Sequence, residues 1–415
     1  MNLKSKLPTR FQKYASFGII PKLLLAPVAF LILCGFLLAK PFVQFRLYRI
    51  VDSRIGHLAT NTEIVRLRNL EHNENAKKKE IIVYCSENWN CSNNALRKLF
   101  FRSSFHLRGP LAWLALSLSR KIKIFHSFSS IANRNLPIDR AGLLTKQLPM
   151  LKFSNEEVCK GQSFLASCEI KSRFVCLHVR DSAYLTTTMG QQRKKHDYRD
   201  SEIKTYVAAA ESLAEMGYTV FRMGAIVNEP LISTHPRVVD YATNGMRTEF
   251  LDIFLGAHCF FTVSTGSGWD SVVQLFRRPL ILLNHLPLLN PALHTTKALV
   301  YPKSLRVLAG INPLSLNEAV QLNVAPAYSS KQFSDAGVEI RDMSSEELVE
   351  AVTEMAQRVE GTFVETPEQR GMQAKLKHIL STHPKLQPSP NYYPIRAQFA
   401  SCFLSRYPNF LDGLD

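Results

Sequence analysis

An apolar run passes directly into three side chains that can do chemistry at residues 174–181. The sequence there is Phe174-Val-Cys-Leu-His-Val-Arg-Asp, which is typical of a buried strand that ends in His178, Arg180 and Asp181. Ligands of open α/β sheets bind beyond the carboxyl ends of the strands. A fixed guanidinium there can bind a phosphate or carboxylate through two parallel hydrogen bonds. The segment predicts an anion-binding site at His178 and Arg180, and a structural ion pair between Arg180 and Asp181 is the alternative.

A second apolar run leads into a loop of small residues and then into a predicted helix. Glycines let backbone amides approach an anion, and a helix N-terminus adds positive potential. The pattern predicts a phosphate-binding loop made of Ser264, Thr265, Gly266, Ser267 and Gly268. An ordinary β-α turn is the alternative. A dinucleotide fingerprint fits less well, because Ser271 stands at the third glycine position and the next strand ends in Asn284 and His285.

Further polar residues lie at the same predicted sheet edge. His196 and Asp197, in a charged run, are candidate acids or bases together with Asp181, and a solvated surface is the alternative reading. Arg222, Asp240 and Asp252 are candidates for holding the nucleotide part of a ligand. The histidines show no metal-ligand spacing, so no metal and no other cofactor is predicted.

Alternating strands and helices must position these groups. In the second half of the chain we predict strands at 174–179, 218–222, 238–241, 259–263, 280–283 and 338–341, and helices at 201–216, 249–256, 269–276 and 345–359. That succession predicts a doubly wound parallel sheet. In the first half we predict a helix at 60–70, a loop at 71–80, a strand at 81–84, a helix at 93–101 and a strand at 122–125, hence a smaller parallel sheet.

Charge and hydropathy set the N-terminal third apart. Residues 1–150 hold 24 Lys and Arg against 7 Asp and Glu, whereas the remainder holds 27 of each. Leu23–Ala39 is a 17-residue uncharged run that contains Pro27 and has basic residues on both sides. Such a run is expected to span a bilayer or to enter and leave it on one side. The eight cysteines form no CxxC motif and favour a reducing compartment.

The divisions that follow are residues 1–49 as a basic tail and membrane anchor, 50–165 as a first domain and 170–390 as a second. Residues 383–394 hold four prolines and are predicted to be a linker. Residues 394–412 are predicted to carry a terminal helix that packs back on the first domain.

An ordered series of motifs resembles a family of bacterial glycosyltransferases that is distantly related to GT-B fucosyltransferase-like enzymes. The series is RIGHLA at 54–59, CLHVRDSAYL at 176–185, HDYRDSEI at 196–203, YTVFRMG at 218–224, DYA at 240–242, FLDIFLGA at 250–257, FTVSTGSG at 261–268, RRPLILLNHLPL at 277–288 and EIRDMSSEEL at 339–348. The resemblance implies two facing Rossmann-like domains with parallel sheets. His178 and Arg180 match an H-x-R motif whose Arg contacts the donor pyrophosphate, with Tyr184 following, although Asp181-Ser-Ala departs from the usual continuation.

Together these features predict a metal-independent hexosyl- or fucosyl-type transferase at the bacterial inner membrane, with cytoplasmic catalytic domains. Its expected partners are a nucleotide-sugar donor, a glycan or lipid-linked acceptor in cell-surface polysaccharide synthesis, and the membrane, but no nucleic acid. The alternatives are an NAD(P)- or other nucleotide-dependent enzyme and a non-catalytic membrane-tethered binder of anionic glycans.

Overall fold

A computed structural model describes residues 19–87, 90–102, 104–129, 139–170, 173–189, 196–289, 295, 297–382 and 396–413. The chain forms two compact units, unit 1 from Met1 to Pro137 and unit 2 from Ile138 to Asp415. The boundary lies earlier than the predicted 165–170. The reason is that helix Asn155–Ser167 packs inside unit 2, where the ring of Phe254 covers Gly161 so closely that no side chain would fit there.

Unit 1 is built on a small parallel sheet with the strand order β1-β2-β3. The strands are β1 (Gln44–Arg49), β2 (Glu80–Ser86) and β3 (His106–Arg108), and the helices are α1 (Ile19–Ala39), α2 (Thr62–Asn75, preceded by a π-turn at His57–Asn61), α3 (Asn94–Phe101) and α4 (Gly109–Lys121). The small parallel sheet is confirmed. The expected loop at 71–80 is wrong in its first half, because α2 continues to Asn75, and the expected strand at 122–125 is a 3₁₀ helix, Lys123–Phe128.

Helix α1 occupies the apolar run predicted to enter a membrane. Ala29 and Leu33 on its inner face are fully buried, and the helix packs against α4 as part of unit 1. In the part of the chain that the structure describes, no helix is long and apolar enough to cross a membrane. The expectation that Leu23–Ala39 lies apart from the first domain as an anchor is wrong, because one face of the helix belongs to the core of unit 1.

Unit 2 contains a seven-stranded parallel sheet with the strand order β12-β9-β8-β7-β4-β5-β6. Its strands are β4 (Phe174–His178), β5 (Thr219–Arg222), β6 (Val238–Val239), β7 (Thr262–Ser264), β8 (Leu280–His285), β9 (Ala298–Pro302) and β12 (Gln398–Phe399). Strand β8 is buried along its whole length and β4 is buried up to Leu177, as expected where both faces of a parallel sheet are covered. The predicted α/β class with parallel sheets is confirmed.

The helices of unit 2 follow its strands. They are α5 (Leu143–Lys146), α6 (Asn155–Ser167), α7 (Ala183–Met189), α8 (Val207–Glu215), α9 (Glu249–His258), α10 (Asp270–Leu275), α11 (Leu316–Gln321), α12 (Ser330–Asp335), α13 (Ser345–Glu360), α14 (Pro367–Thr382) and α15 (Ser401–Arg406). The predicted capping box at the start of α13 is present, since Ser344 and Glu347 each bond the other's backbone amide. The predicted strand at 338–341 forms, but as β11 (Val338–Arg341) it pairs antiparallel with β10 (Ser304–Val307) outside the main sheet.

The C-terminal segment belongs to unit 2 and not to the first domain as expected. β12 pairs with β9, and in α15 the ring of Phe403 lies 5.0 Å from that of Tyr301. The buried Glu354 carboxylate accepts backbone hydrogen bonds from Ser401 and Cys402, at 2.9 and 2.8 Å. These bonds fix the start of α15 on α13. The expected proline linker at 383–394 lies outside the described residues.

Candidate donor site

The predicted site begins where the strand order of unit 2 reverses. The chain runs from β4 to β5 and β6 on one side, and then returns to β7 on the other side of β4. Ligands of open α/β sheets bind at such a reversal. His178 pairs with Ser264 at the last register position of β4 and β7, and the Arg180 amide donates to Thr265 Oγ1 at 2.8 Å. The segment His178-Val-Arg180 and the glycine loop are therefore hydrogen-bonded to each other at the carboxyl edge of the sheet.

Arg180 is largely buried, with 12% of its side chain exposed, beside a second guanidinium, that of Arg199. Its Nε lies 3.5 Å from Asp200 Oδ1, while its Nη1 is shielded from solvent and donates no hydrogen bond. Burial, and next the charge of Arg199, lower the pKa of Arg180 to about 10. Arg199 Nη2 donates to the carbonyl of Gly266, and its Nε is also buried without a partner. Two neighbouring cations with unused donors are suited to bind an anion with several oxygens.

His178 is a neutral group at this edge. Burial, and next the charge of Arg222, lower its pKa to about 4. Its ring stacks on Trp269 at 5.7 Å with an interplanar angle of 13°, and its Nδ1 is buried without a hydrogen-bond partner. A neutral imidazole can offer one donor to a ligand without adding charge.

The glycine loop holds an anion of its own, the carboxylate of Asp270. Asp270 Oδ1 accepts from the hydroxyls of Ser264 and Ser267, at 2.6 and 3.2 Å, and Oδ2 accepts from the Ser267 amide at 2.7 Å. Burial raises the pKa of Asp270 to about 6 in spite of these bonds. The Thr265 hydroxyl oxygen likewise accepts a hydrogen bond from within the protein, from the Arg180 amide. Several donors that the sequence suggested for phosphate therefore organise the loop itself.

Gly266 has a conformation that the loop requires. Its φ is +84°, and a β-carbon there would lie 3.1 Å from His285 Nδ1 and 3.3 Å from Arg199 Nη2. Glycine is thus needed both for the backbone angle and for the approach of Arg199. Gly268 is exposed at the end of the same loop.

The three predicted acid or base residues differ in their contacts. Asp181 accepts backbone hydrogen bonds at both oxygens, from Ala183 at 2.9 Å and from Asn228 at 2.8 Å, so it ties two loops together. Asp197 is exposed and accepts from the Ser330 hydroxyl, and the ring of His196 lies 6.3 Å from that of Tyr198. Asp197 and His196 stay candidates for proton transfer, while the contacts of Asp181 favour a structural role.

Arg222 and Asp240 form a buried structural pair. The Arg222 side chain is fully buried, 3.2 Å from Asp240 Oδ1, and also donates to the Glu229 carbonyl at 3.0 Å. Asp240 Oδ2 accepts from the Leu231 amide and the Thr243 hydroxyl. These contacts use the groups that the sequence suggested for a ligand.

Asp252 and Tyr184 were the other predicted donor-binding residues. Asp252 accepts from Arg247 at 2.6 Å and from the Tyr241 hydroxyl at 3.2 Å, and burial raises its pKa to about 6. This arrangement places Asp252 in an internal network. Tyr184 lies on α7 with 38% of its surface exposed, which leaves it accessible.

The sequence interpretation missed two cations. Arg199 stood in the charged run but was not singled out. Lys303 follows the end of β9 and is 4% exposed; its Nζ donates to the Asp200 carbonyl and lies near Asp342 Oδ1, both at 2.7 Å. The strand-end rule that selected Arg180 would also have selected Lys303. Among the described residues, no group of His, Cys, Asp and Glu is arranged to hold a metal ion.

No protein-family model matches the sequence, and no curated protein matches it. Two solved structures are similar in fold. The Escherichia coli ADP-heptose LPS heptosyltransferase II shows 14% identity and a TM-score of 0.43, covering 76% of this chain and 100% of that one. The glycosyl transferase family 9 protein from Veillonella parvula DSM 2008 shows 12% identity and a TM-score of 0.43, covering 76% and 98%. Likenesses at this level carry no inference about activity.

Proposed function

We propose that the chain is a glycosyltransferase that takes a sugar from a nucleotide-diphosphate sugar. One observation carries the proposal: two guanidinium groups with unused donors, those of Arg180 and Arg199, lie at the strand-order reversal of a parallel sheet. A diphosphate offers oxygens to both groups at once. The resemblance of His178-Val-Arg180 to a donor-binding motif agrees with this assignment.

The two arginines would act on the leaving group. In the transfer, the acceptor oxygen forms a bond to the anomeric carbon while the bond from that carbon to the diphosphate breaks. The electron pair goes to the diphosphate, and partly buried cations that the fold already holds in place stabilise the charge that develops there. The hydroxyl proton passes to a base, for which Asp197 and His196 remain the candidates on this chain. No metal or other cofactor is part of the proposal.

The proposed acceptor is a lipid-linked, phosphate-bearing glycan of the bacterial cell surface, used at the cytoplasmic side of the inner membrane. Its support is the charge of the first unit, where residues 1–137 hold 22 Lys and Arg against 6 Asp and Glu. Such a basic unit favours anionic substrates and surfaces.

Ligand-dependent melting of the full chain tests the donor assignment. The ligands are GDP, UDP, CDP and dTDP, with NAD⁺ and NADP⁺ as competitors for the alternative function. We expect one nucleoside diphosphate to raise the melting temperature by mass action, and Arg180→Met to abolish the increase. Arg237→Met is the control, because Arg237 is an exposed arginine whose guanidinium contacts the Gly217 carbonyl.

Two results would contradict the proposal. A melting increase with NAD⁺ or NADP⁺ and with no diphosphate would point to another nucleotide-dependent enzyme. Binding of anionic glycans that weakens only with salt, and is indifferent to Arg180, would point to a non-catalytic binder.

A further inference from the structure

Helix α1 has one face inside unit 1. Ala29 and Leu33 are fully buried there. The ring of Phe30 lies 5.5 Å from that of Phe125, and the ring of Phe36 stacks 4.3 Å from that of Phe45. The helix is thus held along its length by the fold, with a fixed inner and outer side.

The outer face of α1 is apolar and open to solvent. Leu24, Leu31 and Leu38 are 71%, 68% and 80% exposed and recur every seven residues, so they lie on one side of the helix. Phe42, in the turn that follows the helix, is 85% exposed. A β-carbon at Gly35, on this side, would meet nothing within 4 Å. A contiguous apolar surface of this kind marks an interaction site.

Exposed lysines lie at the C-terminal end of α1 and in the segment that packs against the helix. Lys78 donates to the carbonyl of Lys40 at the C-terminal end of α1, and Lys77 and Lys79 are exposed beside it. Near the middle of α1, Phe125 follows the exposed Lys123 and Ile124, the latter 57% exposed. The exposed apolar side chains belong to a unit that holds 22 Lys and Arg against 6 Asp and Glu over residues 1–137. Such a combination matches the two layers of an anionic bilayer surface, acyl chains below charged headgroups.

We propose that the outer face of α1 docks sideways on an anionic lipid bilayer. The inner face stays packed in unit 1, so that only the stripe of Leu24, Leu31, Leu38 and Phe42 enters the headgroup region. The biological purpose of this docking rests on the proposed function, because the enzyme would encounter a lipid-linked acceptor at the bilayer surface. Its physical basis is independent of catalysis.

Vesicle flotation of the full chain tests it, with phosphatidylcholine vesicles and with phosphatidylcholine–phosphatidylglycerol vesicles. We expect binding that is stronger on the anionic vesicles and that is reduced, but not removed, by high salt, because the apolar contact is not screened. Leu31→Glu with Leu38→Glu should lower the partition coefficient on the order of tenfold per substitution. Val364→Glu with Ile311→Glu is the matched control, because these residues are 85% and 86% exposed in unit 2.

Two further measurements keep the outcome interpretable. Melting without ligand should be the same for all variants, because each altered side chain is already exposed, and the melting increase with nucleotide should be retained. Unchanged vesicle binding by the Leu31/Leu38 variant would overturn the proposal. A dimer in solution that this variant separates, without vesicle binding by the parent, would identify a second copy as the occupant. If the parent protein binds anionic vesicles but its melting temperature does not rise with any nucleoside diphosphate, the donor assignment is contradicted and the docking proposal is not.

Discussion

Replacing Arg180 by Met separates an anion-binding arginine from a structural one. Burial, and next the charge of Arg199, lower the pKa of Arg180 from its usual range to about 10, which corresponds to about 3 kcal/mol of unfavourable free energy for the charged side chain in the folded protein. Met keeps the aliphatic length and removes the charge. That figure already includes the attraction of Asp200, whose Oδ1 lies 3.5 Å from Arg180 Nε. We therefore expect the variant to gain up to about 3 kcal/mol of unfolding free energy.

Binding of the nucleoside diphosphate should change in the opposite direction. Loss of a charge-assisted contact to a phosphate costs about 3 kcal/mol, or about a hundredfold in affinity. Urea unfolding of the ligand-free protein and titration calorimetry measure the two quantities. The pKa of Arg180 is lowered in the folded state, so its destabilising effect is present throughout the pH range below about 10 and lessens only above that value. The gain from Met should therefore be constant near neutral pH.

The opposite pattern would refute this reasoning. If Arg180→Met unfolds more easily than the parent and binds the diphosphate equally well, Arg180 serves as the ion-pair partner of Asp200 and not as an anion ligand. Arg237→Met, with an exposed charge, should leave both quantities near their parental values.

Three other substitutions have defined outcomes. Asp52→Asn should raise the unfolding free energy by about 1 kcal/mol at pH 7, because burial raises the pKa of Asp52 and neither carboxylate oxygen accepts a hydrogen bond. The gain should vanish below pH 3.8, the usual pKa of an aspartic acid, because the carboxyl group is then neutral in both the folded and the unfolded state. Asp270→Asn should lower the unfolding free energy by about 2 kcal/mol, since its amide cannot accept from Ser267 at the position of Oδ2; unchanged urea unfolding would contradict the internal role. Gly266→Ala should cost about 1–2 kcal/mol and weaken diphosphate binding, because the methyl group displaces Arg199; calorimetry showing parental affinity would argue against Arg199 as a ligand.

The sheet of unit 2 was predictable because its strands are buried on both faces. Phe174–His178 and Leu280–His285 are near-continuous apolar runs. Such a run can be recognised as a buried strand from its own sequence, without knowing which strands lie beside it. Strand β1 was not predicted because its sequence QFRLYR has arginines three residues apart, at 46 and 49, and therefore lacks the alternation of a half-buried strand. It also follows closely on a longer apolar run, which its aromatic residues extend. The segment Ile122–Phe125 looked like a strand by composition alone, and the fold made it a 3₁₀ turn next to α1.

The site was predictable where position on the sheet decides it, and not where a distant partner does. Arg180 follows from the strand-end rule. The contacts of Asp181 depend on Asn228, 47 residues away, and those of Arg222 on Asp240 across a neighbouring strand end. No local pattern reveals such partners. The bond between Ser267 and Asp270 is an exception, since a Ser followed three residues later by an acid before an apolar run is a recognisable cap.

The carboxylate of Asp270 makes the glycine loop a finished structure before any nucleotide arrives. A loop that satisfies its own hydroxyls and amide has little conformational freedom left to lose, so little of the binding energy is spent on ordering it. The same arrangement changes how genetic variation at this loop would be read. Substitutions at Ser264 or Ser267 should lower the cellular abundance of the protein, while the molecules that remain folded keep their activity. Substitutions at Arg180 should leave the abundance unchanged and abolish the activity of each molecule.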